Sequence, residues 1–82
     1  MPSITFKKSV AKDLRKLSKE IRKRIFSKIE EDLRDHPLDH PELKGKFAGL
    51  RKYRIGDYRV IYAVQDEKVL ITRIANRKQA YD

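Results

Sequence analysis

The chain has no cysteine among its 82 residues, so neither a disulfide framework nor a thiolate metal site is open to it. That absence fits a reducing cytosol. There is no long apolar run either. The N-terminus, "MPSITFKKSV", turns polar after Phe6, short of a signal h-region or a membrane span. No internal repeat or low-complexity segment is present. Proline is scarce, three in all, and two of the three fall together in "DHPLDHPEL" (35–43). Pro37 and Pro41 hold His36 and His40 extended, which makes this stretch a connector. The two histidines are therefore not the helical i, i+4 pair that would turn both imidazoles toward one metal. What remains reads as one complete, soluble, cytoplasmic domain, near the lower size limit for folding without a staple.

Positive charge is what the chain has in excess: 21 Lys and Arg against 12 Asp and Glu, a net charge of +9. The excess is uneven. Residues 44–82 carry ten basic and four acidic side chains, against eleven and eight in residues 1–43. A surface of this sign attracts polyanions and steers their encounter, and each phosphate it neutralises releases counterions. Charge alone does not separate a nucleic-acid site from a merely solvated surface; position has to.

Periodicity gives the elements. "SITF" (3–6) alternates and predicts a first strand. From Lys7 the period changes: Phe6, Val10, Leu14 and Leu17 recur at helical spacing, with Lys8, Lys12, Arg15 and Lys16 off that face. Ser18 can cap a second helix, along which Ile21, Ile25, Ile29 and Leu33 form an i, i+4 row. Its charges run against the macrodipole, with Lys19, Arg22, Lys23 and Arg24 near the start and Glu30, Glu31, Asp32 and Asp35 near the end. After the connector come three strands, roughly 50–55, 58–65 and 68–74, separated by Gly56-Asp57 and Asp66-Glu67. Glycine at the first central position suits a type II′ hairpin turn. The expected fold is α+β in the order β-α-α-β-β-β, a helical hairpin on one face of a small antiparallel-rich sheet, forming a single domain over residues 1–82.

If Gly56-Asp57 is a two-residue turn, alternation sorts the hairpin into two faces. Tyr53, Ile55, Tyr58, Val60, Tyr62 and Val64 share one, which has to bury against the helices. Lys52, Arg54, Arg59 and Ile61 share the other, and Arg54 falls directly opposite Arg59. Like charges in that relation destabilise a sheet. Folding does not ask for this arrangement, and an anion would relieve it. Continuing the same register through Asp66-Glu67 puts Ile74 beside Arg59, with Asn76, Arg77, Lys78 and Tyr81 just past the third strand. Arginine can hold phosphate oxygens by paired hydrogen bonds, and a phenol ring can stack on a base.

Such a cluster matches what RNA scission needs: a base for the 2′-OH, charge stabilisation at the phosphorane, and an acid for the leaving oxygen. Lys52 is the candidate base; Arg54 and Arg59 are the candidate charge stabilisers. Arg77 would clamp the phosphate or assist the leaving group, and Tyr81 would orient or stack the substrate. Lys44, Lys46, Asn76 and Lys78 are candidate RNA contacts around them. No metal and no cofactor is expected. General acid–base help contributes ~10²–10⁴-fold, so a cluster of this kind depends on a partner that positions the RNA.

The stretch "LKGKFAGLRKYRIGDYRVIYAVQDEKVLITRIANRKQAY" resembles the C-terminal half of the RelE/ParE superfamily of bacterial and archaeal toxins. The pattern is L-x-G, then G-L-R-x-Y-R-I-G-D-Y-R-V-I-Y, a variable hairpin, and R-I-x-x-R followed by Tyr. With the preceding strand and helices, the resemblance spans nearly the whole chain. It implies a RelE-like, microbial-ribonuclease-like toxin fold and a place in a type II toxin–antitoxin system, with an acidic RelB-like antitoxin as partner. RelE-like members cut mRNA in the ribosomal A site without a metal. By position the resemblance assigns Lys52, Arg54, Arg59, Arg77 and Tyr81 to that site, and makes ribosome and mRNA the further partners. Leu50 stands where the best-studied branch has a further lysine. Two alternatives share the resemblance: a ParE-like inhibitor of DNA gyrase, and a catalytically inactive nucleic-acid-binding relative.

Overall fold

The structure is a computed structural model, and it describes residues 3–34, 36–45 and 48–76. Six elements follow in order: β1 (Ser3–Phe6), α1 (Val10–Arg15), α2 (Lys19–Asp32), β2 (Leu50–Ile55), β3 (Tyr58–Gln65) and β4 (Lys68–Asn76). This is the expected α+β order, with the last strand two residues longer than its sequence limit. The four strands form one sheet in the order β1-β4-β3-β2. β1 runs parallel to β4, and the other neighbours are antiparallel. No helix among the described residues is long and apolar enough to cross a membrane.

Local chemistry explains the joints. Ser18 sits in extended geometry and its hydroxyl accepts from the Ile21 N–H at 3.2 Å, starting α2. Gly56 has φ of 58° while Asp57 does not share the positive sign, as a type II′ turn requires. That turn sets Ile55 against Tyr58, Arg54 against Arg59 and Tyr53 against Val60. The core then lies where alternation put it. Val10, Ile25, Ile29 and Leu33 from the helical side meet Tyr53, Ile55, Val60, Tyr62, Val69, Ile71 and Ile74 from the sheet. Each large aliphatic buried here contributes roughly 1.5–3 kcal/mol. Phe6 and Phe26 pack edge to face at 5.5 Å and stay partly exposed at the rim.

The acidic end of α2 has a structural use. The Tyr53 hydroxyl donates to the Asp32 carboxylate, and Arg34 pairs with Glu30 at 2.8 Å. Burial, and then the Asp32 contact, push the Tyr53 phenol well above its ordinary range. The connector is stapled to the sheet as well. The Tyr62 hydroxyl donates to the Pro37 carbonyl at 2.6 Å, Arg51 donates to the His40 carbonyl at 2.7 Å, and the His40 ring lies 4.7 Å from that of Tyr53. Burial raises the Tyr62 phenol to about 12, although Arg51 works in the opposite direction.

Candidate nucleic-acid interface

The face of the sheet turned away from the helices is built in three cross-strand rows. Leu50, Ala63 and Leu70 form the first; Lys52, Ile61 and Arg73 the second; Arg54, Arg59 and Ala75 the third. The face thus grades from apolar at one end to basic at the other. Directly opposed residues have Cα atoms about 4.5–5.5 Å apart, so Arg54 and Arg59 are forced into proximity by backbone register. Ile61, between Lys52 and Arg73, and Ala75, on the far side of Arg59, are 5% and 6% exposed, and the Nε atoms of Arg59 and Arg73 are shielded from solvent. The strand under Lys52 is pinned, because its N–H donates to the Pro41 carbonyl at 3.1 Å and Leu43 donates to Leu50 at 2.8 Å.

A β-bulge alters the share of β4 in this face. Ile61 pairs with Arg73 and Tyr62 with Ile71, leaving Thr72 as the extra residue. The Thr72 hydroxyl donates to the Ile61 carbonyl at 3.0 Å. The expected uninterrupted register, with Ile74 beside Arg59, is therefore corrected: Ala75 opposes Arg59, and Ile74 opposes Val60 in the core at 1% exposure. Without the extra residue Arg73 would have opposed Val60. Burying a guanidinium on the apolar side without a counter-charge is expensive, and one inserted residue turns it to the other face. Arg73 is the cation that sequence reasoning missed. Its signal was the break in alternation at "ITRI" (71–74), where strict period-2 reading buries the arginine and exposes the isoleucine.

Of the expected site residues, the structure brings Lys52, Arg54 and Arg59 together on one face. Asn76 is placed elsewhere: it opposes Tyr58 and lines a cleft between β4 and α1 with Asp13 and Lys16, on the helix side. Lys44 is exposed in the segment before β2. Lys46, Arg77, Lys78 and Tyr81 lie outside the described residues. The assembled face offers a line of hydrogen-bond donors and positive charge with an amine at one edge. Chemically it suits a phosphodiester, with guanidinium groups on the nonbridging oxygens.

Comparison with known proteins gives a consistent set of relatives. Residues 4–81 match the family described as ParE toxin of type II toxin–antitoxin system, parDE. The chain is 34% identical over 84 residues to Toxin RelE3 of Methanocaldococcus jannaschii, covering 96% of this chain and 94% of that protein. The toxin–antitoxin complex RelBE2 of Mycobacterium tuberculosis contains a chain of similar structure, with a TM-score of 0.86 and 30% identity. That match covers 94% of this chain and 100% of the other. The RelB–RelE antitoxin–toxin complex of Methanococcus jannaschii gives a TM-score of 0.73 at 31% identity, covering 95% of each chain.

Proposed function

The chain belongs to the RelE/ParE family of toxins of type II toxin–antitoxin systems, and from that premise we propose that it is a ribosome-dependent endoribonuclease cleaving mRNA in the A site. The observation that carries this reading is the row Arg54–Arg59, with Lys52 and Arg73 in the adjacent row, all on the sheet face that the core does not use. In the proposed step Lys52 takes the proton of a 2′-OH, and the 2′-oxygen attacks the adjacent phosphorus. The bond to the 5′-oxygen breaks, leaving a 2′,3′-cyclic phosphate and a 5′-oxygen that takes up a proton. Arg54 and Arg59 stabilise the charge on the phosphorane oxygens; a lost donor of this kind costs ~10²–10³-fold. Arg77 clamps the phosphate or assists the leaving oxygen, and Tyr81 orients the base. With Leu50 in the first row, Lys52 is the amine left to act as base.

The cognate partner is an antitoxin, as in the RelB–RelE complexes to which the chain is similar. It blocks the basic face, and its acidic segment complements the charge there. The test is to induce the protein and map RNA 5′ ends with and without active translation. New ends within translated codons, absent when translation is blocked, support the reading. Intact mRNA in growth-arrested cells counts against it. The match to the ParE description favours a second reading, inhibition of DNA gyrase on the same fold. Loss of gyrase supercoiling with purified protein, translation being untouched, would select that one.

A further inference from the structure

A second group of cations lies along the seam between α1 and β4. β1 stops at Phe6, opposite Ile71, so from Thr72 onward α1 takes the place of a neighbouring strand. It is tied there by the Asp13 carboxylate, which accepts from the Ile74 N–H at 3.0 Å. Two adjoining clefts open along the seam. One, of about 390 Å³, is lined by Ser9, Lys12, Asp13, Lys16, Thr72 and Arg73. The other, of about 220 Å³, shares Asp13, Lys16 and Arg73 and adds Leu17, Tyr58, Ile74, Ala75 and Asn76. Arg73 therefore belongs both to the outward basic face, by register, and to the seam, by its place in the cleft walls.

The seam carries more cations than carboxylates, Lys12, Lys16 and Arg73 against Asp13. Lys12 on α1 and Lys16, its helical C-cap, are four residues apart, the spacing that puts two side chains on one side of a helix. Both are exposed, and neither they nor Arg73 form an ion pair among the described residues. Asp13 is the one carboxylate in either lining, and it is engaged with the strand backbone. The Arg73 Nε is shielded from solvent without a hydrogen-bond partner, so its desolvation is not offset within the chain. The larger cleft has no apolar residue in its lining. Its three cations and two hydroxyls suit a phosphate backbone, and the apolar residues that a protein segment would seek are confined to the smaller cleft.

We propose that the α1–β4 seam is a second phosphate-binding track for single-stranded RNA. A strand whose reacting phosphate lies over Arg54 and Arg59 crosses β4 at Arg73, and neighbouring phosphates are held by Lys12 and Lys16. Asn76, expected among the RNA contacts, serves this track from the helix side. The inference rests on reading the outward face as the RNA site, and the two can fail separately.

The experiment is fluorescence anisotropy with labelled oligouridylates, one of about 15 nucleotides, within the usual span of single-strand sites, and one trinucleotide. Lys12→Ala/Lys16→Ala is the main variant, since both lysines are exposed and alanine favours helix. It is expected to weaken the long RNA about tenfold and to lower the salt slope by about 1.4, two single-strand contacts at ~0.7 each. The trinucleotide should bind it as it binds wild type. Unchanged affinity and slope for the long RNA overturn the track, as does equal weakening of the trinucleotide. Stronger loss of a polyglutamate peptide than of RNA also overturns it, in favour of an acidic protein partner. In the parallel arm, Arg54→Ala/Arg59→Ala should lose the trinucleotide; retention there overturns the outward-face reading instead.

Discussion

On the helix side of the sheet, Tyr53, Val60, Tyr62, Ile71 and Ile74 are buried against Ile25, Ile29 and Leu33. On the other side Arg54 stands directly opposite Arg59, and Lys52 and Arg73 flank Ile61. Both faces come from the same three strands and the same alternation. One lowers the free energy of the folded chain; the other places like charges where a sheet tolerates them least. Places where a local rule is broken are where function is to be sought first. Under the proposed function the difference between the faces is a division of labour, in which substitutions should separate stability from activity.

The largest expected effect on stability is on the core side. Ile25→Ala or Ile71→Ala should cost about 2–5 kcal/mol in urea denaturation, since both side chains are fully enclosed; a loss below about 1 kcal/mol would break the contrast. On the outward side Arg59→Ala should cut cleavage of translated mRNA ~10²–10³-fold while leaving the urea midpoint near that of wild type. A parallel loss of stability would mean that the arginine is structural. Tyr62→Phe is a smaller test, at about 0.5–1.5 kcal/mol for the hydrogen bond to Pro37. It carries a pH signature. The folded phenol is held protonated up to about 12, whereas the unfolded one ionises from about 10. Over that window the folded chain binds more protons, so stability falls as pH rises. Tyr62→Phe should make that fall shallower. Smallest of all, Arg54→Ala should raise stability by a few tenths of a kcal/mol by removing the repulsion across from Arg59.

Much of this division was legible in the sequence. Gly56-Asp57 fixed the hairpin register, and with it which of Lys52, Tyr53 and Arg54 points where, because a two-residue turn leaves no freedom of pairing. The Ser18 cap and the Ile21–Leu33 row marked α2 for the same local reason. The bulge at Thr72 was harder, since a single inserted residue changes no composition and shows only as a lapse in alternation. The same inserted residue puts Asn76 opposite Tyr58, on the helix side. The use of Asp32 at the end of α2 was also hidden: its partner, Tyr53, lies 21 residues away, and no local rule connects them. Arg77 and Tyr81 lie outside the described residues and stand on the strand register and the family resemblance.

The most direct test of the division pairs two readouts on one variant, Arg54→Ala/Arg59→Ala: RNA 5′-end mapping in a translating extract, and the urea unfolding midpoint. The expected result is that codon-positioned ends seen with wild type disappear, while the midpoint stays level or rises. Persistence of the same ends, or a midpoint that collapses along with activity, would contradict the assignment of this face to function.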